Sequence, residues 1–408
     1  MAKTKAALTL AALLTTVCAS VAPAQAAPSG SGECTYPAKP IKGTPWALQR
    51  VLLDRLWEHT RGRTADGRPV RVAVIDTGVD VVNPQLTDAV DPKSGADLLS
   101  GPSDQLKGPT VDPVGHGTKV AGIVAARPRP GTGFVGLAPE SVVIPIRQND
   151  ERGTGTSHTL ALAIRKAVQD GADVINVSQD TAQPLLPDSD LERAVKEALA
   201  RDVVVIASAG NDGLDGNVKK TYPAAYEGVL AVAASDRNNE RAPFSQPGDF
   251  IGVAAPGVEM VSTVPGGGQC VDNGTSFSAP YVAGVAALLR AKHPDWKQHQ
   301  IVAQIEQTAE RTSEDRDRYV GWGVVDPVRA LAEDSRPVDA VHPQRPPARE
   351  ARTPTVPGLA AGESRQEREE RIATYAVGGA GVLVAVIAGV GVVARDRRER
   401  VRARGPVS

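Results

Sequence analysis

The stretch Val72-Ala73-Val74-Ile75-Asp76-Thr77-Gly78 decides the fold, because an apolar, β-branched run stops at an aspartate and a glycine follows shortly after. The run itself begins at Val70. Similar runs recur along the chain, at Val142 to Ile146, Val174 to Ser178, Val203 to Ala207 and Val229 to Ala234. Short runs rich in β-branched residues predict buried parallel strands.

Helical patterns separate these predicted strands. Thr159 to Gln169 is followed by Gly171, and Asp190 to Arg201 follows Ser189, which pairs with Glu192 as a predicted capping box. Strands that alternate with helices form right-handed crossover units. The sequence therefore predicts an α/β fold, a doubly wound parallel sheet with helices on both faces. Its ligand chemistry is expected at the carboxyl ends of the strands.

The amino-terminal residues have the order of a secretory signal peptide. Lys3 and Lys5 precede an apolar run from Ala6 to Val17, and the small flanking residues of Ala24-Gln25-Ala26 come next. We therefore expect residues 1–26 to be removed during export, with cleavage after that triplet. An ordinary buried helix is the alternative.

A second apolar run lies near the other end of the chain. Tyr375 to Ala394 carries no charge, and at about 1.5 Å per helical residue it spans the roughly 30 Å of a bilayer core. Six arginines follow within residues 395–408, and positive charge stays on the cytoplasmic side. The pattern predicts one transmembrane helix in the cell membrane, with an extracytoplasmic body and a cytoplasmic tail. A buried core helix is the alternative.

The segments between these ends differ in composition. Residues 27–44 are rich in Pro, Gly and Ser and predict an extended arm. Residues 45–335 predict one large domain, which opens with a short amphipathic helix within Pro45 to Gly62. Residues 336–374 are rich in Pro and Arg and predict a tether. Lys plus Arg number 46 against 47 Asp plus Glu, so no charge excess points to a nucleic-acid partner.

The chain has three cysteines. Cys18 lies within the predicted signal peptide, where the bulky Val17 before it disfavours a lipid anchor. Loss of that peptide leaves Cys34 and Cys270, an even pair in an oxidising compartment. We expect one disulfide between them, with two free thiols as the alternative.

Three polar residues stand where a strand ends or a helix begins. Asp76 ends the first predicted strand, and His116 lies between two glycines ahead of an apolar helix, Val120 to Ala126. Ser276 lies within Gly274-Thr275-Ser276-Phe277-Ser278-Ala279-Pro280, at the start of a helix of small residues. Each position alone is typical of a turn or a helix cap. Together they fit nucleophilic catalysis, because a serine hydroxyl needs a nearby base and imidazole titrates in the useful pH range.

In the order Asp76, His116, Ser276 these residues resemble the catalytic triad of the subtilisin family, for which this order is known. The resemblance extends over residues 45–333 and includes the Gly-Thr-Ser and Ala-Pro elements around the serine. It implies a subtilisin-like fold and a serine endopeptidase that acts on proteins or peptides without a cofactor. It also implies an oxyanion hole formed by Asn211 and the backbone N–H of Ser276.

The same resemblance implies where substrate binds. An extended peptide would lie between two main-chain edges, Gly153-Thr154-Gly155 and the segment that begins at Ser178. Subtilisins usually continue that segment as Ser-Leu-Gly, whereas this chain has Ser178-Gln179-Asp180. We expect Asp180 to disfavour acidic substrate side chains and to favour basic or small polar ones.

The sequence predicts no metal site. Asp76 and His116 are residue types that bind metals, but the chain has neither a His-Glu-x-x-His motif nor a cluster of cysteines and histidines. Calcium loops are common in subtilisins, yet no acidic run here has the spacing that would identify calcium ligands.

The whole arrangement resembles the mycosins, membrane-anchored proteases of actinobacterial type VII secretion systems. The shared features are a signal peptide, a short arm, a subtilisin-like domain, a Pro-rich tether and one C-terminal helix. About twenty residues ahead of the domain are too few for a separate inhibitory propeptide. The resemblance implies limited proteolysis of a type VII substrate and association with the secretion channel. Two alternatives remain, a general surface-tethered degradative subtilisin and a channel-stabilising component whose proteolysis is secondary.

Overall fold

The computed structural model describes residues 34–99, 108–150, 155–181, 187–215, 219–311, 313–341 and 365–402. It falls into two compact units, Met1–Arg345 and Pro346–Ser408. The predicted signal peptide lies outside the described residues, as do parts of the arm, the tether and the tail.

A parallel sheet forms the centre of the first unit. Its strands are β1 (Arg71–Asp76), β2 (Ala96–Asp97), β3 (Val142–Arg147), β4 (Val174–Val177), β5 (Val204–Ser208), β6 (Leu230–Ser235) and β7 (Ile251–Pro256). They lie in the order β2-β3-β1-β4-β5-β6-β7, and every pairing is parallel. The predicted doubly wound sheet is confirmed. The short β2, the strand β7 and an antiparallel hairpin of β8 (Met260–Thr263) and β9 (Gln269–Asp272) lie outside the five predicted runs.

Helices cover both faces of this sheet. They are α1 (Trp46–Gln49), α2 (Leu53–Leu56), α3 (His116–Ala125), α4 (Ser157–Gln169), α5 (Asp190–Ala200), α6 (Thr275–Lys292), α7 (Gln298–Thr308) and α8 (Pro327–Ala332). Helices α3 and α6 contact each other on one face, and α4 and α5 contact each other on the opposite face.

Alternation along β1 sends its side chains into two separate cores. Val72 and Val74 belong to the larger core, which includes residues of α3 and α6. Ala73 and Ile75 belong to the second core, with residues of α4 and α5. Because both faces of the strand are covered, each position needs an apolar residue, which explains the continuous apolar run in the sequence.

The strand register gathers polar residues at one edge of the sheet. Ile75 of β1 pairs with Val177 of β4, so the next residues, Asp76 and Ser178, emerge side by side. Strand β5 pairs in parallel with β4, and the loop 209–211 that follows it begins at the same edge. We therefore expect the functional residues to lie at the carboxyl edge of the sheet.

The predicted capping box of α5 forms only in part. Ser189 Oγ accepts a hydrogen bond from the backbone N–H of Glu192 at 3.2 Å, as expected for a helix cap. The Glu192 carboxylate accepts from the backbone N–H of Asp188 at 2.9 Å, whereas a capping box would use that of Ser189. Asp188, whose N–H takes the place of that of Ser189 as the donor to Glu192, has a left-handed backbone with φ of 56°.

The prediction of a single helix within Pro45 to Gly62 is wrong. Two one-turn helices, α1 and α2, form instead, and they are separated at Leu52. This residue has a left-handed φ of 46°, and its side chain is exposed. The break allows the segment to bury apolar side chains on both sides of Leu52, which are Ala47, Leu48, Val51 and Leu56.

The arm lies against the β8–β9 hairpin. The backbone N–H of Ala38 donates to the carbonyl of Gly267 at 3.0 Å, and that of Gln269 donates to the carbonyl of Lys39 at 3.4 Å. The structure joins Cys34 of the arm to Cys270 of β9 in a disulfide, which is the predicted pair.

The second unit contains the helix α9 (Arg365–Arg402). Its stretch Arg368–Arg400 includes a window with a mean hydropathy of 2.4 and is long and apolar enough, by length and composition, to cross a membrane. The predicted span, Tyr375 to Ala394, lies within it. The large apolar side chains of this span are exposed, as contact with lipid requires.

Candidate active site

Asp76 and His116 form the centre of the site. Asp76 is fully buried at the end of β1, and its Oδ1 lies 2.7 Å from Nδ1 of His116, the first residue of α3. The carboxylate also accepts a bond from the backbone N–H of Thr77 at 2.8 Å. Because Nδ1 carries the proton shared with the carboxylate, Nε2 is the imidazole nitrogen left to accept another. The imidazole is 27% exposed, so substrate can reach it.

Two glycines allow helix α3 to approach the end of β1 so closely. A Cβ at Gly117 would collide with the carbonyl oxygen of Gly78 and lie 3.0 Å from Cβ of Asp76. Gly115 precedes the helix with a left-handed φ of 78°, which favours glycine. The glycines on either side of His116 are therefore required by the turn and the packing that bring imidazole and carboxylate together.

Asp112, which the sequence analysis missed, fixes the turn before α3. Its carboxylate accepts from Thr77 Oγ1 and from the backbone N–H groups of Gly115 and Thr118, each at 2.8 Å, and from Thr118 Oγ1 at 2.6 Å. Burial raises the pKa of Asp112 more than the hydrogen bonds of Thr118 and Thr77 lower it. The available signal was an aspartate shortly before a predicted helix, because such residues cap helices.

The protonation of His116 is set by opposing influences. Burial lowers the pKa of the imidazole, but the negative charge and hydrogen bond of Asp76, with the more remote charge of Asp112, outweigh it. The net effect raises the pKa above the ordinary value of 6.5. The protein therefore favours the imidazolium form, the form that appears when histidine takes a proton from a nucleophile.

Ser276 lies in the first turn of α6. The ring of Phe277, the next residue, lies 5.4 Å from the ring of His116 between centroids. The Ser276 hydroxyl donates to the carbonyl of Ser178 at 3.1 Å. Within the part of the chain that the structure describes, the hydroxyl makes no hydrogen bond to His116. Such bonds are often long before substrate is bound.

Pro280 explains how the backbone of Ser276 is held. A proline has no N–H, so the carbonyl of Ser276, four residues earlier in α6, lacks its helical donor. The hydroxyl of Ser178 donates to this carbonyl instead, at 3.0 Å, and the amide of Asn176 donates to the same hydroxyl at 2.8 Å. The loop after β4 and the start of α6 are therefore bonded to each other in both directions.

Asn211 is tied to the same helix by its side-chain oxygen. Its Oδ1 accepts from the backbone N–H of Thr275 at 3.0 Å and from the Thr275 hydroxyl at 3.1 Å. The Thr275 hydroxyl in turn accepts from the backbone N–H of Gly210 at 3.2 Å. Because the oxygen is engaged, the Nδ2 amide group of Asn211 is left to donate. Thr275 is fully buried, and its positioning role was visible only as part of the Gly-Thr-Ser motif.

A cleft of about 280 Å³ lies along the segment that follows Ser178. Its walls include Gly155, Thr156, Leu160, Gln179, Asp180 and Tyr222. The predicted edge residues Gly153 and Thr154 lie outside the described residues. The structure thus places both described parts of the predicted substrate edges, Gly155 and the segment after Ser178, at one cleft.

Asp180 is an unpaired carboxylate in this cleft. Among the described residues it makes no hydrogen bond and no ion pair. A Cβ built on Gly210 would lie 2.9 Å from its Oδ2, so the carboxylate reaches the backbone beside Asn211. Asp180 is exposed, yet the surrounding protein atoms partly desolvate its carboxylate and, with a smaller contribution from the charge of Asp212, raise its pKa to about 6.

The described residues contain no group of three or more His, Cys, Asp or Glu side chains that could hold a metal ion. The arrangement around Asp76 instead combines a hydroxyl, an imidazole, a buried carboxylate and a free amide donor. This set of groups supports nucleophilic attack on a carbonyl carbon and stabilisation of the oxyanion that forms.

Comparison with known proteins agrees with this chemistry. The model of the subtilase family, peptidase family S8, matches residues 67–323. Subtilisin Savinase of Lederbergia lenta is 38% identical to this chain over 285 residues, which cover 70% of this chain and 97% of that protein.

Solved structures give the same result. The MycP3 protease from the type VII (ESX-3) secretion system superposes with a TM-score of 0.63 at 32% identity, covering 72% of this chain and 90% of that one. MycP1 from Mycobacterium smegmatis superposes with a TM-score of 0.64 at 29% identity, covering 76% of this chain and 90% of that one.

We predict that His116 titrates above 6.5 and that Asp76→Asn lowers this pKa. Asparagine keeps a similar shape but carries no charge, so burial of the imidazole becomes the dominant influence on its pKa and lowers it. NMR titration of the imidazole resonances measures the pKa in both proteins. Asp80→Asn is the control, because its carboxylate binds other backbone N–H groups. An unchanged His116 pKa in Asp76→Asn would contradict the assignment.

Proposed function

Because this chain belongs to the subtilase family, we propose that it is a membrane-anchored extracytoplasmic serine endopeptidase with Asp76, His116 and Ser276 as its catalytic triad. The observation that carries the proposal is the 2.7 Å hydrogen bond between the buried Asp76 carboxylate and Nδ1 of His116. Further support is that Ser276 lies in the first turn of α6, directly before Phe277, whose ring lies 5.4 Å from the ring of His116.

Acyl transfer follows from this geometry. When substrate binds, the Ser276 hydroxyl turns from the Ser178 carbonyl towards Nε2 of His116. Its Oγ forms a bond to the scissile carbonyl carbon while its proton passes to Nε2, and the Asp76 carboxylate stabilises the imidazolium. The imidazolium then donates the proton to the leaving amine as the C–N bond breaks. Water, deprotonated by His116, hydrolyses the acyl-enzyme and restores the serine.

The tetrahedral intermediate carries an oxyanion that needs hydrogen-bond donors. Asn211 Nδ2 and the backbone N–H of Ser276 are the proposed pair. The bonds from Thr275 to Asn211 Oδ1 hold the amide in one orientation, so its donor is aimed before substrate arrives. Donors fixed in advance stabilise the transition state without the cost of reorganisation.

We predict that Asn211→Leu lowers kcat by roughly 10² to 10³, the loss known for removal of this type of donor in subtilisin, with little change in KM. Steady-state cleavage of a peptide substrate measures both constants. Thr275→Ser is the matched control, because it keeps the hydroxyl that orients Asn211. A loss of less than about tenfold in kcat for Asn211→Leu would remove Asn211 from the oxyanion hole.

We predict that a fluorophosphonate probe labels the full-length chain in membranes and that Ser276→Ala abolishes labelling. Ser278→Ala is the matched control: Ser278 is fully buried in the same helix and should leave labelling intact. Labelling that persists in Ser276→Ala would overturn the assignment of the nucleophile.

The finer proposal is a mycosin-like role, the processing of proteins exported by a type VII secretion system. Its support is the likeness to MycP3 and MycP1, together with the apolar helix α9. The arginines after the apolar run favour a cytoplasmic tail, with the catalytic unit on the outer side of the membrane and able to associate with channel components.

Comparison of Ser276→Ala with complete deletion separates proteolysis from a channel-stabilising role. If processing is the function, Ser276→Ala leaves exported substrates uncleaved, as judged by their size on immunoblots. If stabilisation is the main function, only deletion abolishes secretion. If neither change alters the processing or the secretion of these substrates, a general degradative protease is favoured.

The cleft that contains Asp180 is proposed to select the substrate side chain at the cleavage position. Asp180 lies two residues after Ser178, whose carbonyl contacts the nucleophile, and among the described residues its carboxylate has no hydrogen-bond or ion-pair partner. A lysine or arginine side chain would supply the missing partner, while an acidic one would be repelled. The carboxylate is charged only above its pKa of about 6, so the preference for basic side chains should weaken as pH falls through that value.

We predict that Asp180→Asn reduces the preference for basic over neutral side chains by about tenfold or more at pH 7.5, since a hydrogen bond to a charged group contributes roughly 1.5–3 kcal/mol. Peptide-library profiles at pH 5 and pH 7.5 measure the preference. Asp212→Asn serves as a control that should shift the pH dependence lower without abolishing the preference. A profile left unchanged by Asp180→Asn or Asp180→Gly would refute this role.

A further inference from the structure

We propose that Tyr36 of the arm is a positioning residue for His116, so that the arm supports catalysis rather than inhibits it. The inference rests on the proposed function. The hydroxyl of Tyr36 donates to the carbonyl of Val114 at 3.0 Å, and Val114 lies two residues before His116. This bond joins the amino-terminal arm to the turn from which the imidazole is presented.

The ring of Tyr36 closes over the same turn. A Cβ built on Gly115 would lie 2.5 Å from the ring carbon Cζ and from the hydroxyl oxygen. Gly115 is the residue directly before His116, so the aromatic ring lies in contact with the backbone that begins α3. Movement of this backbone towards the arm is therefore blocked.

The turn is thus held from two sides. From the interior, the Asp112 carboxylate accepts the N–H of Gly115 at 2.8 Å. From the surface, Tyr36 holds the carbonyl of Val114 and packs on Gly115. With both contacts in place, the direction of the first turn of α3, and with it the imidazole of His116, is fixed. A displacement of about 1 Å in a catalytic group costs roughly 10² in rate, so support of this kind acts on kcat.

Further contacts keep Tyr36 in place. Lys119 of α3 lies 5.8 Å from the centre of the Tyr36 ring and forms a 2.8 Å ion pair with Asp272 of β9. Cys34, two residues before Tyr36, is joined to Cys270 of the same strand. The disulfide and the ion pair therefore hold the arm and α3 against one strand, β9, with Tyr36 between them.

The arm does not occupy the substrate cleft. Within the described chain, the residues that line the 280 Å³ cavity come from the segments after β3, β4 and β5 and from α4 and α5, and none comes from residues 34–44. Tyr36 approaches His116 through the backbone before α3, away from Asp180. An inhibitory arm would be expected to enter the cleft, so the geometry favours a supporting role.

The test compares Tyr36→Phe with wild type in the full-length chain in membranes. Phenylalanine keeps the ring against Gly115 and removes only the hydroxyl, so the fold is retained. We expect kcat per labelled active site to fall about fivefold, the value of one neutral hydrogen bond, with KM within twofold. Lys39→Ala, an exposed arm residue that bonds β9 through its carbonyl, is the matched control and should leave kcat unchanged.

Normalisation to phosphonate-labelled sites makes each outcome decisive. A lower thermal midpoint or fewer labelled sites, with unchanged kcat per site, would assign Tyr36 to stability alone and overturn the proposal. A higher kcat would show that the arm inhibits, and would overturn it as well. Wild-type protein that neither reacts with the probe nor cleaves peptides would instead contradict the proposed function itself.

Discussion

The hydrogen bond between Asp76 and His116 exists because helix α3 comes into contact with the end of β1, and the rest of the site depends on that approach. Position 117 requires glycine, because a Cβ there would collide with the carbonyl oxygen of Gly78. Asp112 accepts hydrogen bonds that hold the backbone of the turn. Because the carboxylate is buried, loss of these bonds would leave polar groups without partners, which is unfavourable. The pair is therefore fixed by main-chain packing rather than by the reach of two flexible side chains.

Ser276, the proposed nucleophile, belongs to a second hydrogen-bonded assembly, formed around the start of α6. Because Pro280 has no N–H, the carbonyl of Ser276 accepts a hydrogen bond from the Ser178 hydroxyl instead. The Ser276 hydroxyl donates to the Ser178 carbonyl in return, so the helix and the loop after β4 are joined by two bonds. Thr275 ties Asn211 to the same helix turn. The serine and its amide donor thus move together. In the proposed mechanism, the Ser276 hydroxyl leaves the Ser178 carbonyl and turns towards His116 within this frame.

The sequence predicted the parts of the molecule that depend on local pattern. The apolar runs predicted five of the seven strands of the sheet. The sequence pattern also selected Asp76 and His116, which the fold joins by a hydrogen bond, and Ser276, which bonds to the residue after β4. It could not predict partners set by tertiary contact. Asp112 looks like any turn aspartate until the fold brings four donors to it. Leu52 breaks a well-patterned helix because packing of both turns outweighs local preference.

The covalent link between Cys34 and Cys270 has a topological consequence. Asp76 and His116 lie inside the closed ring of chain, whereas Ser276 lies six residues beyond it. A cut by another protease in a loop within the ring, such as the exposed Leu214, leaves one covalent molecule instead of two fragments. The severed ends remain at high effective concentration, and the strand pairings on either side of the cut can persist. A chain cut within the ring can therefore stay folded.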